Sequence, residues 1–241
     1  MSADITLRKG LTIPMSGIAD LNISSADSAD NYVVYPSDFH GVVPKMLLKE
    51  GETVLQGQPI FYSKANPEIK FVSPVSGTLT KIERGAKRRI MALSITSDGE
   101  HKAVVHKLAN LDELCAADVR KHLLESGCWS FIKQRPYDVI ADPSSTPKAI
   151  FVSGFNTAPL AADVPFLLSP QKEDFQNGIN ALAKLAPKVH LSVDASSASF
   201  LTEVSNAELH RIKGQHPAGN VGVQVHHIDP VNAGETVWVV G

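Results

Sequence analysis

Cysteine is scarce in this chain, two among 241 residues, which excludes a disulfide scaffold and an iron–sulfur cluster held by this chain alone. The pair, Cys115 and Cys128, forms no Cys-x-x-Cys, and so little thiol suits a reducing cytoplasm. Long apolar runs are missing too. No window of 18 apolar residues occurs, and the opening Met1-Ser-Ala-Asp-Ile-Thr-Leu-Arg-Lys-Gly10 lacks the apolar stretch of a secretory signal, so neither a membrane span nor export by that route is expected. Charge of one sign is not in excess: 23 Lys plus Arg stand against 25 Asp plus Glu, a net charge of −2. Without a large positive field, no nucleic-acid partner is expected. What is there, 43% hydrophobic and 20% charged residues with 16 Gly and 15 Pro, is the profile of a soluble globular chain with one large or two small domains.

From Tyr32 to about Ser97, apolar clusters at Tyr32–Tyr35, Val42–Val43, Met46–Leu48, Ile60–Tyr62, Ile69–Val72, Gly77–Ile82 and Ile90–Ile95 are punctuated by Pro44, Gly51, Gly57, Pro59, Pro67, Pro74 and Gly85. Short strands with turns every 8 to 12 positions predict a small β barrel or sandwich. Leu111, Cys115, Val119 and Leu123 then recur in steps of four, which predicts a helix over 111–125, stopped at Gly127. A helix reaching both cysteines would hold them about 20 Å apart, beyond disulfide reach. Pro136, Pro143 and Pro147 with Ser144 and Ser145 suit a boundary near residue 145.

Ala149–Val152 reads as a strand buried on both faces, Phe175, Ile179, Leu182 and Leu185 as a helical stripe ended by Pro187, and Val189–Val193 as a second strand, so 149–194 is predicted to be a βαβ unit with a parallel sheet. Val221–His226 and Thr236–Val240 are predicted as two more strands. The expected domains are 1–105, a barrel-sandwich β domain; 106–145, a helical connector; and 146–241, a Rossmann-like α/β domain. Since the chain stops at Gly241 directly after an apolar strand, the last domain is expected to be cut from a longer protein.

Glu50-Gly-Glu-Thr-Val-Leu-Gln-Gly-Gln-Pro59 and Val72-Ser-Pro-Val-Ser-Gly-Thr-Leu79 resemble the barrel-sandwich hybrid of biotinyl and lipoyl domains. That resemblance implies a modified lysine eight residues before the proline of the Pro-x-x-Gly segment. Asn66 stands there, with Lys64 and Lys70 out of register, so a structural role is expected and not a swinging arm. Lys87-Arg88-Arg89 reads as a solvated basic turn. His216, His226, His227 and Asp229 carry metal-ligating chemistry, but on the predicted strand His226 and His227 point to opposite faces, so no metal is expected. Neither Gly-x-Gly-x-x-Gly, nor a phosphate-binding Gly-x-x-x-x-Gly-Lys loop, nor a Gly-x-Ser-x-Gly elbow occurs. One segment remains, Trp129-Ser-Phe-Ile-Lys-Gln-Arg-Pro-Tyr137. It sets flat apolar groups beside donors, which suits a planar ligand with carbonyl acceptors, while the residues alone favour an interdomain joint anchored by Trp129 and Phe131.

Leu7-Arg-Lys-Gly-Leu-Thr-Ile-Pro14, Phe71-Val-Ser-Pro-Val-Ser-Gly77, Glu83-Arg-Gly-Ala-Lys-Arg88, Glu125-Ser-Gly-Cys-Trp129, Arg135-Pro-Tyr137, Ser144–Val152, Asn156–Asp163 and His216-Pro-Ala-Gly219 together resemble the NqrA family of the sodium-translocating NADH:quinone oxidoreductase, over essentially the whole chain. The resemblance implies a peripheral subunit on the cytoplasmic face of the bacterial inner membrane, in a complex that oxidises NADH, reduces ubiquinone or menaquinone and exports sodium. It implies that this chain binds quinone and, alone, is not catalytic. No cofactor is expected to be held tightly here; flavins and iron–sulfur centres are expected on partner subunits, through which the chain meets the membrane. In the flavin-binding relative in respiratory complex I, a glycine-rich loop cradles the flavin, whereas Trp129–Pro136 holds no glycine. The family places quinone contacts near segments matching Tyr35–Val42 and Tyr137–Ser144, where Phe39 and Tyr137 are the aromatic candidates, and Trp129, Phe131 and Arg135 of the aromatic and cationic segment complete the candidate quinone residues. The alternative is a structural role in assembly, with no ligand site.

Overall fold

A computed structural model describes residues 3–17, 19–107 and 110–240. Two compact units divide the chain: residues 25–133 with 138–142, and residues 1–24 with 134–137 and 143–241. The first strand, β1 (Ala3–Thr6), pairs in parallel with a strand near the other end of the chain, Ala3 against His210. Residues counted at sequence level with the β domain thus belong to the α/β unit.

The β unit contains β2 (Asn31–Val34), β3 (Pro44–Met46), β4 (Thr53–Val54), β5 (Pro59–Ser63), β6 (Lys70–Val72), β7 (Gly77–Arg84) and β8 (Ile90–Ser97). Two antiparallel sheets form, ordered β2-β8-β7-β4 and β3-β5-β6, as short Pro- and Gly-punctuated strands favour. Its core buries Val54, Ile60, Phe61, Phe71, Leu79, Leu93 and Ile95. Gly77 allows the tightest approach: its φ is +152°, and a Cβ there would stand 2.0 Å from the Thr96 carbonyl oxygen. At the β5–β6 turn the Asn66 Oδ1 accepts the Glu68 N–H at 3.1 Å, so the position that carries lysine in carrier domains closes a turn.

The predicted helix 111–125 divides in two. A 3-10 turn covers Leu111–Glu113, and α1 (Ala116–Glu125) follows, because Cys115 is extended (φ −83°, ψ 171°) and serves as N-cap while the Asp118 carboxylate accepts its N–H at 3.1 Å. Gly127 ends the segment in the left-handed conformation, φ +78°. Cys128 opens a new 3-10 turn, Cys128–Phe131, so no single helix carries both cysteines, and both are free. The short strands β9 (Lys133–Arg135) and β10 (Val139–Ile140) follow.

In the α/β unit, β11 (Ile150–Ser153) leads through α2 (Val164–Leu168) and α3 (Lys172–Leu182) to β12 (Val189–Asp194), parallel to β11 with Ile150 against Val189. The predicted βαβ unit is there. Next come β13 (Glu208–Lys213), α4 (Val221–Ile228) and β14 (Val237–Val240). The parallel strands run β1-β13-β12-β11-β14, so the chain steps outward from β11 to β13 and then crosses back to the other side of β11.

Val221–His226, predicted as a strand, is helical. The deciding contacts have helical spacing: Val221, Val225 and Ile228 pack on Ala149, Phe151, Val237 and Val239, whereas in a strand Val225 and Ile228 would face apart. β13 has no counterpart in the sequence reading, since Leu209 and Ile212 are its only apolar members and no apolar run announces it.

Candidate functional site

The β unit holds a pocket of about 280 Å³ lined by His40, Gly41, Val42, Ser63, Asn66, Ile69, Val139, Ile140 and Asp142. Residues 40–42 and 139–142 come from the two segments to which the resemblance assigned quinone contacts. The first approaches on the 3-10 turn Pro36–Asp38 and reverses at Gly41, whose φ is +77° and whose absent Cβ would stand 3.8 Å from Val139 Cγ1. The second continues from β10. Walls of Val42, Ile69, Val139 and Ile140 make the pocket apolar, with His40, Ser63, Asn66 and Asp142 supplying polar atoms, the mixture that holds a small ring and fixes its orientation.

The five candidate side chains are not gathered into one pocket. Phe39 is half-buried beside this one, its ring 4.4 Å from that of Phe71 and 6.5 Å from that of Phe61, and the latter two stack at 4.5 Å. Trp129 is 0% exposed, and its indole N–H donates to the Ala141 carbonyl at 2.8 Å, which anchors the second segment from behind. Phe131 and Tyr137 are 67% and 78% exposed. Arg135 lines a separate pocket of about 560 Å³ in the α/β unit, with Ser153, Phe155, Asn156, Gly219 and the first turn of α4.

Lys87, Arg88 and Arg89 are exposed on the β7–β8 turn, as expected of a solvated face. His216 Nδ1 lies 3.2 Å from the Thr157 hydroxyl. His226 and His227 stand on α4 rather than on a strand, their ring centroids 5.0 Å apart, and His227 Nδ1 meets the Val223 carbonyl at 2.9 Å. A different pair went unnoticed in the sequence: His190 on β12 and His210 on β13, both 2% exposed, with Nδ1 of the first 3.0 Å from Nε2 of the second. Burial holds both imidazoles below the ordinary histidine value, His210 at about 4. Twenty residues of chain separate them, and only strand register brings them together.

Two family models match: one described as the NqrA second alpha/beta domain over residues 114–241, the other as the NqrA N-terminal barrel-sandwich hybrid domain over residues 5–98. The chain belongs to the NqrA family. Its barrel-sandwich and α/β domains are those of NqrA, as the sequence resemblance implied. Relatives named as an NqrA-type component of the Na(+)-translocating NADH-quinone reductase are similar along nearly its whole length. That of Actinobacillus succinogenes is 36% identical over 236 residues, covering 97% of this chain and 53% of the relative. One from Haemophilus influenzae is 36% identical over 238 residues with the same coverage, and that of Shewanella amazonensis 37% identical over 240 residues, covering 98% and 53%. The chain spans about half the length of these NqrA relatives. Among the described residues no helix is long and apolar enough to cross a membrane.

Proposed function

We propose that this chain is the quinone-binding part of a peripheral component of a Na(+)-translocating NADH-quinone reductase, and that the 280 Å³ pocket of the β unit receives the quinone head group. The observation that carries this reading is the convergence of residues 40–42 and 139–142 on that one pocket. A quinone head group is a flat ring with carbonyl acceptors. Val42, Ile69 and Val139 match its faces, and the His40 ring and the Asn66 amide are donors for its carbonyls. Phe39 borders the entry, Trp129 braces the wall, and the exposed Phe131 and Tyr137 meet the isoprenoid chain or a partner protein of the complex.

On this reading the chain binds and positions quinone, while flavins and iron–sulfur centres on partner subunits carry electrons from NADH, and membrane contact comes through those partners on the cytoplasmic face. The test is kinetic. In the assembled complex, Val139→Trp fills the pocket and raises the apparent KM for a short-chain quinone at least about tenfold with kcat less affected, since it removes binding rather than chemistry; an unchanged KM in an intact complex contradicts the assignment.

One observation favours an assembly role alongside this. Leu11, Ile13, Met15, Leu21 and Ile23 are all exposed, an apolar series within one short segment, and contiguous exposed apolar surface marks interaction sites.

A further inference from the structure

Independently of the quinone reading, the α/β unit carries a polar cluster with a chemistry of its own. β12 and β13 pair in parallel with His190 against Glu208 and Ser192 against His210. Register partners share a face, as do residues two apart on a strand, so these four side chains lie together. Around the two rings the surroundings are apolar, while the Glu208 side chain is 33% exposed. Phe151, in register with His190, holds its ring 4.7 Å from the imidazole, and on that face lie the clusters of Ala149, Val225, Val237 and Val239 and of Phe155, Ile212 and Ala218.

His190 Nδ1 is 3.0 Å from His210 Nε2 and 3.6 Å from Glu208 Oε2, and one ligand atom from each residue falls within 4.8 Å of the others. The contact between the rings uses one nitrogen of each. His190 Nε2, His210 Nδ1 and Ser192 Oγ are buried with no hydrogen-bond partner among the described residues. Buried polar atoms are nearly always paired, and the Ser192 hydroxyl in this layer has no partner among the described residues for an ion to displace.

We propose that His190, Glu208 and His210 form a binding site for a divalent transition metal ion, with Zn²⁺ as its first candidate. Two imidazoles and a carboxylate are a zinc donor set, and ligand atoms about 2.0–2.1 Å from a tetrahedral ion stand about 3.3–3.4 Å apart, a spacing that the observed 3.0 and 3.6 Å bracket. Nitrogen donors disfavour Mg²⁺ and Ca²⁺. The ion leaves Nδ1 of His190 and Nε2 of His210 without protons and places the ring protons on the two orphaned nitrogens. It joins β12 to β13, and the Ser192 hydroxyl or a water completes its coordination.

The experiment titrates the chain, stripped with EDTA, with ZnCl₂ alone, followed by calorimetry and by long-range proton–nitrogen NMR of the histidine rings. We expect one equivalent to bind with shifts at His190 Nδ1 and His210 Nε2. Glu208→Gln, which keeps size and shape, weakens binding at least about tenfold, while the His226→Ala, His227→Ala double variant binds as before. His210→Ala risks the fold itself, so the ring spectra of the unsubstituted chain decide the matter. Zn²⁺ shifts confined to exposed histidines, or binding that survives Glu208→Gln and is lost in the double variant, would overturn the proposal.

Discussion

Phe131 and Tyr137 stand in solvent while Phe39 and Trp129 pack, and the difference sorts what substitution does at each position. Truncating the two exposed rings to Ala changes stability by less than about 0.5 kcal/mol in urea unfolding, so any effect on quinone affinity there reads as lost contact. Phe39→Ala breaks a three-ring cluster and costs about 2–3 kcal/mol. Trp129→Phe removes the donor to the Ala141 carbonyl and leaves that acceptor orphaned, a loss of about 1–3 kcal/mol. A Trp129→Phe chain as stable as the unsubstituted one would contradict the anchoring role. Aromatic and cationic composition made the 129–137 segment conspicuous, but side-chain direction is not in composition. Trp129 turns inward because the 3-10 turn after Gly127 aims it at the core.

At the scale of elements, period-two and period-four patterns located the strands of the β unit and the βαβ unit, and they misled where two periods coexist. Val221-Gly-Val-Gln-Val225 alternates like a strand, yet Val221, Val225 and Ile228 also mark one face of a helix, and packing on Phe151 and Val239 decides for the helix. β13 stayed hidden because Glu208, His210 and Arg211 interrupt any apolar run, which hid the His190–His210 pair as well. The β7–β8 hairpin gives the sharpest prediction at this scale. Gly77 sits between β4 and β8, in register with Val54 and Ser97, and a Cβ would collide with the Thr96 carbonyl. Gly77→Ala therefore destabilises the β unit by about 3 kcal/mol or more, seen as loss of its unfolding transition or a lowered midpoint; an unaltered midpoint would contradict the close approach.

For the molecule as a whole, the buried histidines set a pH dependence. Unfolded histidines take up protons near pH 6.5, but native His210 does so only at about 4, and desolvation lowers His190 in the same direction. Protons thus favour the unfolded chain, so the EDTA-treated protein keeps this stability above about pH 6.5 and loses it as the pH falls towards 4, by on the order of 3 kcal/mol for His210 alone. Urea midpoints across that range check it; a flat profile would mean both rings titrate as they do in water. The pocket proposed for quinone was marked in the sequence only by the family resemblance, because its walls come from Val42, Ile69 and Val139, residues with no chemical mark of their own. The measurement that tests the central claim most directly is a titration of the isolated chain with a water-soluble short-chain quinone, read by backbone NMR. Saturable shifts clustered at residues 40–42, 63–69 and 139–142 are the predicted result, and no saturable shift at those residues would contradict a quinone site in this pocket.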